Sequence, residues 1–176
     1  MFRGPKKDLS KDNPFDIDPE HGTITRKSDG IRVFTMGSVG WASLQKELAS
    51  TFISGANVIL QRMGYSYGRY LGNVAKARQV TAQEALESLQ RFSKESGWGE
   101  LVLNGGDLFS GQARLLMRNC IFCLHIEGAQ EPVCNMLSGL IQGVAEEIIG
   151  ADYRVIEEKC VAKGDAFCEV AIERVG

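Results

Sequence analysis

Glu157-Glu158-Lys159-Cys160-Val161-Ala162-Lys163-Gly164-Asp165-Ala166-Phe167-Cys168 is the stretch from which the rest of the chain can be placed. Tyr153 to Val161 and Ala166 to Glu173 read as two strands, with Ala162-Lys163-Gly164-Asp165 as the turn between them. Cys160 and Cys168 are symmetric about Gly164. A tight hairpin centred there sets them opposite each other, with Cβ atoms ~4.5–5.5 Å apart. Two thiolates on one tetrahedral zinc ion, with bonds of ~2.3 Å, need about that separation. Glu157 precedes Cys160 by three residues, which puts them on opposite faces of a regular strand. For both to hold one ion the strand has to bulge or twist between them, and a bulge is expected.

Upstream, Val133, Met136, Leu137, Leu140, Ile141, Val144 and Ile148 recur at helical spacing. Pro132 suits the first position of that helix and Gly150 its end. Cys134 near its start completes the pattern Cys134…Glu157-x2-Cys160-x7-Cys168. Spacing alone leaves three readings open: a zinc site, three cysteines packed as small hydrophobes, or a Cys160–Cys168 disulfide.

Further upstream, Leu101-Val102-Leu103-Asn104 reads as a strand and Asn104-Gly105-Gly106-Asp107 as a turn. Arg114 to Ile126 reads as one long apolar strand. It contains Cys120 and Cys123, whose side chains would then point to opposite faces, so both are expected to be structural. Thr81-Ala82-Gln83-Glu84 has the form of a capping box, followed by the stripe Ala85, Leu86, Leu89 and Phe92. Trp41, Leu44, Leu48, Phe52, Val58, Ile59 and Met63 recur at helical spacing, with Gly55 dividing that stretch. Short strands are expected at Phe15-Asp16-Ile17-Asp18, Thr23-Ile24-Thr25-Arg26 and Ile31-Arg32-Val33-Phe34. The order implies an α+β fold, a single domain over residues 15–176 with a mostly antiparallel sheet packed against helices. Residues 1–14 read as a flexible tail.

The chain has 176 residues, 44% of them hydrophobic and 24% charged, with a formal net charge of −2. That balance is globular and argues against direct nucleic-acid binding. No apolar run approaches the ~20 residues that span a bilayer, and no signal peptide is evident. A cytoplasmic protein is expected, with its five cysteines reduced. Only His21 and His125 are present, and no hydrolytic triad, dinucleotide fingerprint or phosphate loop is seen. The balance is therefore against an enzyme. Gly64, Gly68 and Gly72, like Gly139 and Gly143, are spaced by four and suit close helix packing. Tyr65, Tyr67, Trp98, Phe109, Met117 and Phe122 are the candidates for lining an apolar ligand pocket.

From Pro132 to Val170 the sequence resembles the 4-vinyl reductase-like domain, a small-molecule-binding module. Pro132-Val133-Cys134, Gly139, Gly143, Glu157-x-x-Cys160 and the run from Cys160 to Cys168 carry the likeness. Looser fits extend it to about residues 15–174. The resemblance implies the fold of the nitric-oxide-sensor and transport-particle (TRAPP) subunit group, and a homodimer. It implies a structural zinc ion held by Cys134, Glu157, Cys160 and Cys168. Aromatic-sensing relatives carry tyrosines where this chain has Ser138 and Val155, a departure from phenol-type recognition. In related activators an ATPase and a DNA-binding domain follow this module. The sequence here stops at Gly176, so a stand-alone sensor or carrier of a small hydrophobic molecule is expected. A part in tetrapyrrole vinyl-group reduction and a purely structural adaptor are the alternatives.

Overall fold

The computed structural model describes residues 13–53, 55–108 and 110–176. They form two compact units, one ending at Gly37 and one running from Ser38 to Gly176. The expected tail lies outside the described residues as far as residue 12. The first unit is an antiparallel meander of β1 (Phe15–Asp18), β2 (Thr23–Arg26) and β3 (Arg32–Val33). The buried Arg26 guanidinium closes the β2–β3 turn by pairing with Asp29.

The second unit begins with three helices, α1 (Ser38–Thr51), α2 (Ala56–Ala77) and α3 (Ala82–Glu95). The capping box opens α3 as expected. The Thr81 hydroxyl accepts from the Glu84 amide, and the Glu84 carboxylate accepts from the Thr81 amide. Two strands follow, β4 (Glu100–Asp107) and β5 (Gln112–Arg118), then α4 (Asn135–Ile149), β6 (Tyr153–Lys159) and β7 (Cys168–Arg174). The strands make one antiparallel sheet in the order β4-β5-β7-β6. Leu101, Leu115, Met117, Val155, Val170 and Ile172 are buried in one core with residues of α3 and α4. The architecture is α+β with antiparallel sheets throughout, and no helix among the described residues is long and apolar enough to cross a membrane.

Three local expectations are corrected. Asn104-Gly105-Gly106-Asp107 does not turn the chain. It is the bulged end of β4, where Gly105 and Gly106 adopt positive φ and the register slips between Leu103 and Gly106. Helix α4 begins at Asn135, with Cys134 at its N-cap, so Pro132 lies before it. The third correction, in β5, creates the site described below.

Helices α2 and α4 meet backbone to backbone. A Cβ on Gly64 would lie 2.0 Å from the Met136 carbonyl oxygen, and one on Gly68 2.1 Å from that of Leu140. In return, a Cβ on Gly139 would lie 2.0 Å from the Gln61 carbonyl oxygen. The glycine stripes are thus the contact itself, and the helices run side by side in the same direction. Because α2 turns its glycine face inward, Val58 and Met63 are left in solvent despite their helical spacing, as are Leu44 and Phe52. Gly139→Ala should lose about 3 kcal/mol of stability, because overpacking against rigid backbone outweighs the gain in helix propensity. Gly37→Ala, with nothing within 4 Å of the added methyl, should shift stability by less than about 1 kcal/mol. Urea unfolding of the two variants checks the difference.

Candidate metal centre

Four element ends converge beside the sheet: the end of β5, the start of α4, the end of β6 and the start of β7. Along β6, Tyr153, Val155 and Glu157 turn inward. The expected bulge is present, since the register slips between Glu157 and Lys159. Glu158 and Lys159 both face outward, and Cys160 returns inward to full burial. A single extra residue therefore puts Glu157 and Cys160 on one side. The link to Cys168 is a 3₁₀ turn over Val161–Lys163 closed by Gly164, in place of a tight hairpin. The Cys160 amide donates to Asp165 at 2.8 Å and fixes that turn.

Cys134 is the meeting point. Its side chain makes no capping bond to α4. Its amide donates to Glu157 Oε2 at 2.7 Å. Its sulfur lies 3.9 Å from that of Cys160 and 3.7 Å from that of Cys168. The Sγ atoms of Cys134, Cys160 and Cys168 and a Glu157 carboxylate oxygen all lie within 4.8 Å of one another. All four sequence-chosen ligands are thus brought together.

Cys120 and Cys123 join them, against the expectation that they face apart. Strand β5 ends at Arg118, because Asn119 takes a left-handed φ of 53° that a strand cannot continue through. The chain then folds into turns, with the Ile126 amide donating to the Cys123 carbonyl. Cys120 Sγ reaches 3.6 Å from Cys134 Sγ, and Cys123 Sγ reaches 3.4 Å from Cys168 Sγ. The signal available in the sequence was Asn119 itself, a residue that tolerates positive φ, directly before a C-x2-C pair that ordinarily needs a turn.

All five cysteines are at most 3% exposed. Two of the nearby cations are engaged elsewhere: Lys159 pairs with Glu169 and Arg154 with Glu173, each at 2.8 Å. One amide serves the sulfurs directly, with Val161 donating to Cys168 Sγ. Burial first, and then the charge of Cys160, push the Glu157 carboxyl up to about 8. Its Oε1 is buried among the sulfurs without any hydrogen-bond partner. Thiol donation within the cluster holds two sulfurs low: Cys123 and Cys134 lower Cys160 to about 6, and donors led by Cys120 lower Cys168. Cys134 and Cys123 are raised in exchange, with Cys120 the largest influence on each. Two sulfurs poised as thiolates beside an unpartnered carboxylate oxygen suit a soft divalent cation of the zinc type.

The aromatic candidates divide. Tyr67, Trp98 and Phe122 gather with Trp41 and Phe92, with ring centroids 4.9–6.0 Å apart along the chain of contacts. Tyr65 instead donates its hydroxyl to Glu146 of α4 at 2.7 Å. Met117 is 1% exposed in the core, 3.8 Å from the Ser93 hydroxyl. Phe109 lies outside the described residues. An apolar cavity of about 20 Å³ lies elsewhere, under α3 and α4, between residues such as Leu86, Leu89, Ile141 and Ile148.

The architecture is that of the nitric-oxide-sensor and transport-particle subunit fold group. The phenol-responsive sensory domain of the transcription activator PoxR, solved with phenol, aligns over 98% of this chain and 92% of its own, with a TM-score of 0.75 and 20% identity. A trafficking protein particle complex subunit 3 from Naegleria fowleri, covalently bound to palmitic acid, covers 79% of this chain and 93% of its own, with a TM-score of 0.62 and 15% identity. Residues 114–174 match the domain of the vinyl-4-reductase family, a segment that holds Glu157 and all five cysteines. The resemblance read from Pro132 to Val170 is thereby borne out. Among curated proteins, an uncharacterized protein of Methanocaldococcus jannaschii is 27% identical over 109 residues, 62% of each chain. The chain spans about three fifths of the length of the curated relatives it matches.

Burial makes a direct prediction about reactivity. In the native protein none of the five thiols should react with iodoacetamide over a period in which all of them react once the chain is unfolded with a chelator present. Mass spectrometry counts the adducts, and early labelling of Cys120 or Cys123 would contradict their placement in the cluster.

Proposed function

We propose that this protein is a zinc-stabilised domain that senses or carries a small hydrophobic molecule, and that it acts as a homodimer in the cytoplasm. Support for the metal comes from Glu157, whose buried Oε1 lacks a partner while Oε2 is held by the Cys134 amide. A cation held by Cys134, Glu157, Cys160 and Cys168 satisfies that oxygen and neutralises the thiolates. With four protein ligands it leaves no open position for substrate, so its work is to tie α4 to the end of the sheet.

The observation that carries the ligand reading is a set of buried polar atoms without partners on α1 and α4. They are Trp41 Nε1 and Gln45 Oε1 on α1, with Asn135 Nδ2 and Ser138 Oγ on α4. Unpaired buried donors and acceptors cost about 1–3 kcal/mol each, and the polar group of a bound molecule would relieve them. Trp41 sits at the edge of Phe122, at the head of the aromatic cluster, which offers the apolar surface such a molecule needs. The PoxR sensory domain shares the fold and is solved with phenol, which supports the same class of ligand here. The 20 Å³ cavity has room for about one water molecule. A ligand must therefore part side chains or helices to enter, which couples binding to local structure. For the dimer, the support is the apolar surface that α1 and α2 leave in solvent: Val39, Leu44, Phe52, Val58, Met63 and Tyr70.

Native mass spectrometry of the protein as purified, beside a denatured aliquot, tests the reading. A dimer retaining zinc and an extra organic mass is expected. A metal-free monomer with no extra mass would overturn it. Trp41→Phe keeps the ring packing but removes the indole donor. It should weaken retention of the organic mass about tenfold and leave the zinc content unchanged.

A further inference from the structure

Cys120 and Cys123 have no part in the zinc site just described, yet they complete a second ligand set. The sulfurs of Cys120, Cys123, Cys134 and Cys168 also lie within 4.8 Å of one another. Cys134 and Cys168 belong to both sets. Their sulfurs are 3.7 Å apart. A tetrahedral zinc ion with bonds of ~2.3 Å separates its sulfur ligands by ~3.8 Å. The remaining short edges agree: 3.6 Å from Cys120 to Cys134, 3.4 Å from Cys123 to Cys168, and 3.9 Å from Cys134 to Cys160. Two ligand tetrahedra therefore share one edge.

We propose that the cluster is a binuclear centre for zinc-type ions, bridged by the Cys134 and Cys168 thiolates. One ion takes Cys160 and Glu157 as its other ligands, and the second takes Cys120 and Cys123. The first ion is that of the proposed function, on which this inference rests; the second is an addition to it.

Charge favours the pair. One divalent ion on three thiolates and a carboxylate, with Cys120 and Cys123 as neutral thiols, leaves a formal charge of −2. A second divalent ion that displaces those two protons also leaves −2. The added ion thus brings no further net charge into a buried site, where uncompensated charge is costly. Without the second ion, two buried thiols crowd sulfurs at 3.4 and 3.6 Å, and the weak thiol hydrogen bonds are their only compensation.

A cobalt titration of the intact, metal-stripped protein tests this without any substitution. Thiolate–cobalt charge-transfer absorbance should rise to two equivalents per chain. The EPR signal of the first equivalent should fall as the second enters, because bridging thiolates couple the two spins. Saturation at one equivalent overturns the second ion and leaves the first standing. No uptake at all overturns both. Two equivalents without loss of the EPR signal overturns the shared edge. As a second arm, Cys120→Ala/Cys123→Ala should bind one equivalent, with charge-transfer absorbance more than twofold lower, since thiolate–metal bonds fall from seven to three. Unchanged stoichiometry in that variant would also overturn the proposal.

Discussion

The contact between α2 and α4 sets the position of everything around the cysteine cluster. Glycines on both helices allow carbonyl oxygens of each to lie where the other's Cβ atoms would be. Any side chain there would force the axes apart, since the opposing atoms are backbone and cannot swing away. Helix α4 is thereby held between α2 on one side and the sheet on the other. Polar bonds lock the alignment: Tyr65 donates to Glu146, and Arg69 and Lys76 pair with Glu147. With α4 fixed along its length, its first turn projects Cys134 over the end of the sheet.

The cluster is then assembled from irregularities. A register slip in β6 turns Cys160 to the side of Glu157. A left-handed Asn119 ends β5 and folds Cys120 and Cys123 back. An N-cap position without a capping bond leaves the Cys134 side chain free to face the sulfurs. Each departure forgoes a regular hydrogen-bonded element, and each delivers a ligand-type atom to the same place. Local conflict with regular structure is what a functional centre is expected to show.

Phe122 joins this centre to the proposed ligand region. It stands between the two cysteines of the C-x2-C pair and packs edge-on against both Trp41 and Trp98. A turn held by metal at Cys120 and Cys123 would hold Phe122, and through it the tryptophans beside the unpaired polar atoms of α1. Metal occupancy and ligand binding would then act on one short segment of chain.

Much of this was legible in the sequence because it follows from periodicity and spacing. The helical stripe from Leu137 to Ile148, the capping box at Thr81 and Glu84, the glycines spaced by four and the ligand pattern Cys134…Glu157-x2-Cys160-x7-Cys168 are local signals with direct physical meaning. Even the β6 bulge followed, since Glu157 and Cys160 could share an ion in no other way. The place of Cys120 and Cys123 was decided by tertiary structure. An apolar run such as Cys120-Ile121-Phe122-Cys123-Leu124 fits a buried strand and a buried turn equally well. Only Asn119's φ and the neighbouring packing choose between them. Likewise Leu44, Phe52, Val58 and Met63 follow helical spacing yet face solvent. The inward face of α2 belongs to glycines, whose value lies in what α4 brings against them, and no pattern within one helix records that.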